Sequence, residues 1–418
     1  MEKIIVKDII RQSHRVDISF TVSEGLKEYF LEKHNFFAEY SCDISDVPDS
    51  VVVIPLLLNL IPFSWTTNCT VWADKVDLDF YEAIPGLKRA FEEMYHNIKF
   101  GGAFIAARLE KNSYTAQREC VSLFTGGVDA STTFFRIRDK KPILLDTYGW
   151  FKDDITPNSV FDADKKAIEK FAVDNGVDCC FVRSNFGNLI NASVWNKKIG
   201  KKLHTSLWFG FQHSMAFLGC AAVAGYHYKV KNLFIASSYT FGQEVVCASD
   251  PRTDSQVRIS SMSTIHDGYE LSRQEKIKYL VETQKELNKK IDLRVCSFQE
   301  RNCCKCEKCC RTMLALTAEG GDAKNFGFEL TDTLIETVNH FLNTQILELN
   351  PDHMVFWNDI IMRMQENFDA VSDKEVYELL ANYPFERERK AFLFKYYRKN
   401  FWKILKRKLN CNTARGKR

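Results

Sequence analysis

Between Cys120 and Ala236 the chain alternates short apolar runs with stretches of helical periodicity, and this alternation narrows the possible folds sharply. The runs are Cys120–Phe124, Pro142–Asp146, Asp178–Val182 and Asn232–Ala236. Helical patterns follow the first run to about Arg138, then fall at Lys165–Asn175 and Trp208–Tyr226, the last with small residues that allow close packing. Strand, helix, strand in series implies right-handed crossovers and a parallel sheet covered on both faces. The expected class is therefore α/β. An N-terminal accessory α+β domain over residues 1–117 precedes this central domain of 118–316, and a helical region over 317–418 follows it.

In the N-terminal stretch, Arg15–Val22 alternates polar and apolar residues as a half-buried strand does. Tyr81–Tyr95 has helical spacing, and Phe104–Leu109 reads as another strand. No catalytic motif falls there. Ser249–Arg273 is polar and reads as a loop, and a helix is expected from Gln274 to Leu287.

Residues 121–132 read V-S-L-F-T-G-G-V-D-A-S-T. Gly126 and Gly127 stand where the first strand should turn into a helix. Gly in a helix interior costs about 0.5–1 kcal/mol relative to Ala, so the pair serves the backbone. Ligands of α/β sheets bind outside the carboxyl ends of the strands. The free N–H groups of a helix start there suit a phosphate. In this reading Thr125 adds a hydroxyl, the glycines admit the phosphate, and Asp129 caps the helix or holds Mg²⁺. The bland alternative is a tight turn with a capping Asp. The pattern is neither G-x-x-x-x-G-K-[ST] nor G-x-G-x-x-G.

Cys296, Cys303, Cys306 and Cys309 form C-x6-C-x2-C-x2-C. Four thiolates suit tetrahedral Zn²⁺; an iron–sulfur cluster and plain reduced thiols are the alternatives. Lys305, Lys308 and Arg311 would offset the charge of a four-thiolate centre, while Cys304 and Cys310 blur the ligand choice. No basic-then-apolar leader precedes a small-residue cleavage site, so the 14 cysteines are read as thiols or metal ligands in a cytoplasmic protein. The longest apolar stretch, Val51–Phe63, is short of the about 20 residues of a membrane span.

His266-Asp267-Gly268-Tyr269-Glu270-Leu271-Ser272-Arg273-Gln274-Glu275-Lys276 is dense in polar groups. Arg273 and Lys276 lie one turn apart on a helix and could neutralise a triphosphate. A solvated helix start with a Ser272–Glu275 capping box is the equal alternative. Ser237 and Ser238 follow the fourth strand, as site-loop or turn residues. His213, on an apolar helix, reads as a hydrogen-bonded core residue. Residues 387–418 carry 13 Lys/Arg against one acid, Glu388, so this tail is about +12 in a chain of net +3. Phe392–Leu409 is aromatic as well as basic. It could bind nucleic acid, lie on an anionic membrane, or dock its apolar stripe on the protein.

F-T-G-G-V-D-A-S resembles the S-G-G-x-D-S pyrophosphate loop of the N-type ATP pyrophosphatases. The resemblance implies an adenine nucleotide α-hydrolase-like fold and a nucleotide site of Thr125, Gly126, Gly127, Val128, Asp129 and Ser131, with Ser237 nearby. The end of the second strand, near Asp146, would lie by the adenine. Asp129, Arg273 and Lys276 are the expected catalytic residues, with ATP and Mg²⁺ bound. Thr125 replaces the motif's first Ser and Ala130 its last. Together with Asn302–Thr312 and its cysteines, the chain resembles the 7-cyano-7-deazaguanine synthases of the queuosine pathway over about residues 118–316. These adenylate a carboxylate on a deazapurine, aminate it, and convert the amide to a nitrile. Synthase-like relatives also occur in antiviral defence operons and specialised pathways. The resemblance implies a ligase with a small-molecule or protein acceptor, and homo-oligomerisation is a further expectation. A sulfur transferase or amidotransferase, or a non-catalytic nucleotide-binding component of a defence complex, are the alternatives.

Overall fold

A computed structural model describes residues 2–31, 34–150, 159–243, 245–296 and 301–399. The chain divides into two compact units, Met1–Leu280 and Val281–Arg418.

The first unit is built on one mixed sheet of 11 strands. In chain order these are β1 (Lys3–Arg11), β2 (Arg15–Val22), β3 (Asn35–Tyr40), β4 (Thr70–Asp77), β5 (Ala103–Glu110), β6 (Arg118–Leu123), β7 (Ile143–Tyr148), β8 (Cys179–Ser184), β9 (Val230–Ala236), β10 (Arg258–Ile259) and β11 (Met262–Asp267). Their spatial order is β10-β11-β9-β6-β7-β8-β3-β2-β1-β4-β5. Most neighbours are parallel; β8–β3–β2–β1 and β10–β11 are antiparallel.

The expected alternation from β6 onward is present. The chain moves outward from β6 to β7 and β8 on one side, then returns to lay β9 and β11 on the other. The order therefore reverses between β6 and β9. A crevice opens at such a switch point beyond the carboxyl ends of the strands. All six residues of β7 are buried, as expected of a strand covered on both faces.

The stretch read as an accessory domain supplies β1–β5 to this same sheet. Ala38 of β3 pairs with Ser184 of β8, so the expected boundary near residue 117 falls within a continuous sheet. Helix α1 (Ile54–Thr67) is almost wholly buried. Pro55 occupies its first turn, where the missing N–H costs nothing. Helix α2 (Leu78–Met94) starts at an Asp77 cap, whose Oδ1 accepts from Phe80 N at 3.0 Å. Helices α3 (Val128–Arg136), α4 (Ser159–Asn175) and α5 (His213–His227) complete the crossovers. Gly219 of α5 packs so closely on α1 that a Cβ there would stand 2.8 Å from Pro55 Cα.

Two readings need correction. Trp208–Tyr226 is not one uniform helix: Trp208–Gln212 is a π-helical turn that runs into α5. Nor is 249–273 merely a loop. It holds a short helix, Pro251–Asp254, and strands β10 and β11. The segment M-S-T-I-H-D looks polar, yet Thr264 Oγ1 donates to the Val257 carbonyl at 2.8 Å and His266 Nδ1 lies 2.8 Å from Asp254 Oδ2, partners that only the folded chain supplies.

Helix α6 (Arg273–Leu287) follows β11. The second unit holds helices α7 (Glu307–Ala318), α8 (Leu334–Gln345), α9 (Pro351–Glu366) and α10 (Lys374–Ala381), with a further helix over 385–399 and no strand among its described residues. Its core gathers Leu314, Phe326, Phe341, Leu349, Trp357 and Met364, all nearly inaccessible to solvent.

Candidate active site and metal centre

The turn after β6 needs its first glycine for a definite reason. Gly126 has φ +75°, the left-handed region, where an L side chain is strained by roughly 1–2 kcal/mol. Gly127 has φ −73° and ψ 172°, which any residue adopts. It is the N-cap of α3, and no side chain caps that helix. Asp129 is therefore not the helix cap. Thr125 is exposed on the turn and Val128 is buried beneath it. Ser131 is fully buried, its hydroxyl donating to the Gly126 carbonyl at 3.3 Å, so it braces the turn from inside.

Asp129 is instead the meeting point of the expected catalytic residues. Arg273 Nη2 lies 2.9 Å from its Oδ2, and Lys276 Nζ lies 3.3 Å from its Oδ1. One turn of α6 thus brings two cations to the first turn of α3, across 147 residues of sequence. Lys276 also donates to the Ser237 carbonyl at 2.5 Å. Its side chain is only 2% exposed, and burial lowers its pKa despite Asp129. The Arg273 guanidinium has a buried Nε with no hydrogen-bond partner among the described residues. Ser272 and Glu275 do form the capping box: Ser272 N donates to Glu275 at 2.7 Å, and Glu275 N to Ser272 Oγ at 3.2 Å. The cap and the cationic pair coexist.

Ser237 enters through its backbone, since its hydroxyl donates to the Tyr239 carbonyl at 2.7 Å. Ser238 is exposed. Asp146 is buried on β7 and accepts from the Thr147 N–H at 3.0 Å. Sequence reasoning gave no role to Asp267, which ties the end of α3. Thr133 Oγ1 donates to it at 2.8 Å and Arg136 Nε lies 3.3 Å away. Arg136 also pairs with Glu270 at 2.6 Å. The only sequence signal was the polar density of 266–276.

The sulfurs of Cys296, Cys303, Cys306 and Cys309 all lie within 4.8 Å of one another. Cys303 and Cys309 are 3.9 Å apart. Tetrahedral Zn²⁺ with bonds of about 2.3 Å requires sulfurs about 3.8 Å apart, so the four fit such an ion. Backbone N–H groups of Lys305 and Cys306 point at Cys303 Sγ, at 3.5 and 3.4 Å. Cys306 is the N-cap of α7, and Cys309 lies in its first turn, where the helix dipole favours thiolate. Hydrogen bonds from the Cys309, Cys303 and Cys296 thiols lower the Cys306 pKa.

Asn302 holds the approach to this cluster. It accepts from Val295 and Cys296 N–H and donates to the Leu293 and Gly327 carbonyls. Cys304 turns away, at φ +56°, toward the Asn302 and Glu329 carbonyls, and Cys310 is buried in α7. Neither belongs to the four. Arg311 pairs with Glu307 at 2.8 Å rather than serving only as a counter-ion to the thiolates. Glu307 in turn accepts from Trp357 Nε1 at 3.1 Å.

His213 is buried, as expected, but its Nδ1 has no hydrogen-bond partner among the described residues. Burial lowers its pKa. On the helix over 385–399, Phe394, Tyr396 and Tyr397 are 70, 49 and 53% exposed, so these three rings are not buried, whereas Phe385 packs on Trp357. Phe401, Trp402 and the rest of the basic tail lie outside the described residues. Among the described residues no single helix is long and apolar enough to cross a membrane.

No protein-family model, no curated protein and no solved structure matches the chain.

Proposed function

We propose that this chain is an ATP-dependent ligase of the N-type ATP pyrophosphatase kind, related to the 7-cyano-7-deazaguanine synthases, with a structural zinc. The observation that carries the reading is the convergence of Arg273 and Lys276 on Asp129 beside an uncapped helix start. That start lies at the switch point of the sheet, where the fold class binds its ligands. Phosphate oxygens on the N–H groups of the 125–129 turn would draw on two cations already in position. As the bond between the α-phosphorus and the pyrophosphate oxygen breaks, charge grows on pyrophosphate. A buried ammonium and a guanidinium beside the turn stabilise that charge. An acceptor carboxylate oxygen forms the new bond to phosphorus, and pyrophosphate leaves.

Asp129 would hold Mg²⁺, which would offset the negative charge of the phosphates. Asp129 already holds a cation at each oxygen, so its service to the metal requires one of them to turn to phosphate. Cys296, Cys303, Cys306 and Cys309 would hold zinc as a folding centre, with no position left for chemistry. The same full pairing of Asp129 favours a second reading, a nucleotide-binding component without turnover. The two separate in isotope exchange between pyrophosphate and ATP in the presence of 7-carboxy-7-deazaguanine. Exchange dependent on that acid supports the ligase. Tight ATP binding without exchange supports the second reading.

A further inference from the structure

The seam of the sheet carries two cysteines that the nucleotide site and the metal centre leave unused. Strands β3 and β8 are the neighbours that join β1–β5 to β6–β11. Their antiparallel register runs from Ala38 opposite Ser184 to Tyr40 opposite Val182. Carried two residues further, it sets Cys42 opposite Cys180. Ser41 N donates to the Phe181 carbonyl at 3.0 Å, so the next position along is a non-hydrogen-bonded one. Facing Cα atoms at such positions stand about 4.5 Å apart, within the range of about 4.4–6.8 Å that a disulfide spans. Both residues are free thiols, with their sulfurs 3.7 Å apart. His14 Nδ1 lies 2.9 Å from the Cys42 carbonyl and holds the chain just past the end of β3.

The groups around the pair are those that favour reaction at sulfur. Ser41 Oγ donates to Cys180 Sγ at 3.5 Å. Hydrogen bonds from Cys42, Ser41 and Tyr228 hold the Cys180 pKa down against burial. The Tyr40 hydroxyl is buried and has no hydrogen-bond partner among the described residues. Cys220, Cys42 and Cys180 lie close enough to add to burial in raising its pKa. It is a spare donor for charge or oxygen on a neighbouring sulfur. Cys180 has no exposed surface, while Cys42 keeps 8% of its own. Tyr228 lines a surface cavity of about 510 Å³ together with Glu169, Val173, Asp178 and Cys179. Solvent thus reaches a side chain that is one hydrogen bond from Cys180.

We propose that Cys42 and Cys180 are a redox-active dithiol, oxidised by a peroxide to a disulfide that staples the two parts of the sheet across 138 residues of sequence. The inference is independent of the adenylation reading. The Cys180 sulfur attacks one peroxide oxygen as the O–O bond breaks. That oxygen stays on sulfur as a sulfenic acid, and the other leaves as water with the thiol proton. The Cys42 sulfur then attacks the Cys180 sulfur. The S–S bond forms as the S–O bond breaks, and the departing hydroxide takes the Cys42 proton as a second water. Two thiols lose two electrons and two protons, and the peroxide gains them. A thiol reductant reverses the change by exchange.

The test uses the full-length chain, reduced and then exposed to limiting hydrogen peroxide. Remaining thiols are blocked with N-ethylmaleimide in denaturant, and the peptides are mapped by mass spectrometry. A peptide linked through Cys42 and Cys180 should form and should vanish on treatment with dithiothreitol. The melting temperature should rise by several degrees on oxidation and return on reduction, since the bond closes a long loop. Cys42→Ser removes the resolving thiol. In that variant dimedone should add to Cys180, and oxidation should no longer raise the melting temperature. Cys179→Ser should still form the link. If Cys42→Ser folds poorly, the peptide map of the unaltered chain decides alone. Recovery of Cys42 and Cys180 as blocked thiols after peroxide has oxidised other cysteines overturns the proposal. A link from Cys180 to Cys179 or Cys220 in place of Cys42 overturns it as well.

Discussion

Lys276 reaches Asp129 with its Nζ 3.3 Å from Oδ1, although its side chain is almost sealed from solvent. A buried ammonium persists because a carboxylate faces it; removal of one partner of such a pair strands the other, at about 3–5 kcal/mol. The pair is thus both a structural clamp between α3 and α6 and a concentration of charge beside the Gly126–Gly127 turn.

Asp129→Asn should therefore lower the melting temperature as well as abolish ATP cleavage. Lys276→Met in the same chain removes the stranded charge. The double variant should regain much of the lost stability in thermal denaturation, yet remain inactive. If Asp129→Asn keeps both the wild-type melting temperature and turnover, the contact serves neither purpose.

The two glycines of the turn should separate. Gly126→Ala forces a Cβ into φ +75° and should destabilise the fold by about 1–2 kcal/mol. Gly127→Ala meets no such strain at φ −73°. If a phosphate approaches the main chain there, this variant should weaken ATP binding in calorimetry while the melting temperature stays close to wild type. Equal effects on stability from both would contradict the assignment.

Elemental analysis should find about one zinc per chain, as a single four-thiolate site requires. Cys303→Ser should lose it, whereas Cys304→Ser should keep it, because Cys304 points to the Asn302 and Glu329 carbonyls. Iron with a sulfur-to-iron absorption band would replace the zinc account with a cluster.

Deletion of residues 387–418 should leave ATP chemistry intact and weaken binding to anionic polymers or vesicles. For nucleic acid, binding should fall with salt at a slope of roughly −0.7 to −0.9 per phosphate neutralised. The exposed Phe394, Tyr396 and Tyr397 predict little loss of thermal stability. Early melting of the truncated chain, with no salt-dependent binding in the intact one, would show that the tail packs on the body.

The central strands were legible because parallel, fully buried strands leave continuous apolar runs, as in Ile143–Tyr148. Met262–Asp267 was not legible, since its buried Thr264 and His266 find partners only in the folded chain. Continuity of β3 with β8 was hidden for a related reason: Ala38 and Ser184 pair across long sequence separation, and no local pattern records it. The four cysteines were readable from spacing alone, though only coordinates separate them from Cys304 and Cys310. Arg273 and Lys276 were readable as a pair on a helix. That they meet Asp129, and that Asp129 is no cap, required the sheet order that brings α6 to α3.

The most direct test is the identity of the products that the purified chain makes from ATP in the presence of an acceptor acid. The account predicts AMP and pyrophosphate in equal amounts. It also predicts that Arg273→Met, which leaves the Asp129–Lys276 contact in place, slows their formation by about 10²–10³-fold. ADP and inorganic phosphate as products, or a wild-type rate in Arg273→Met, would contradict it.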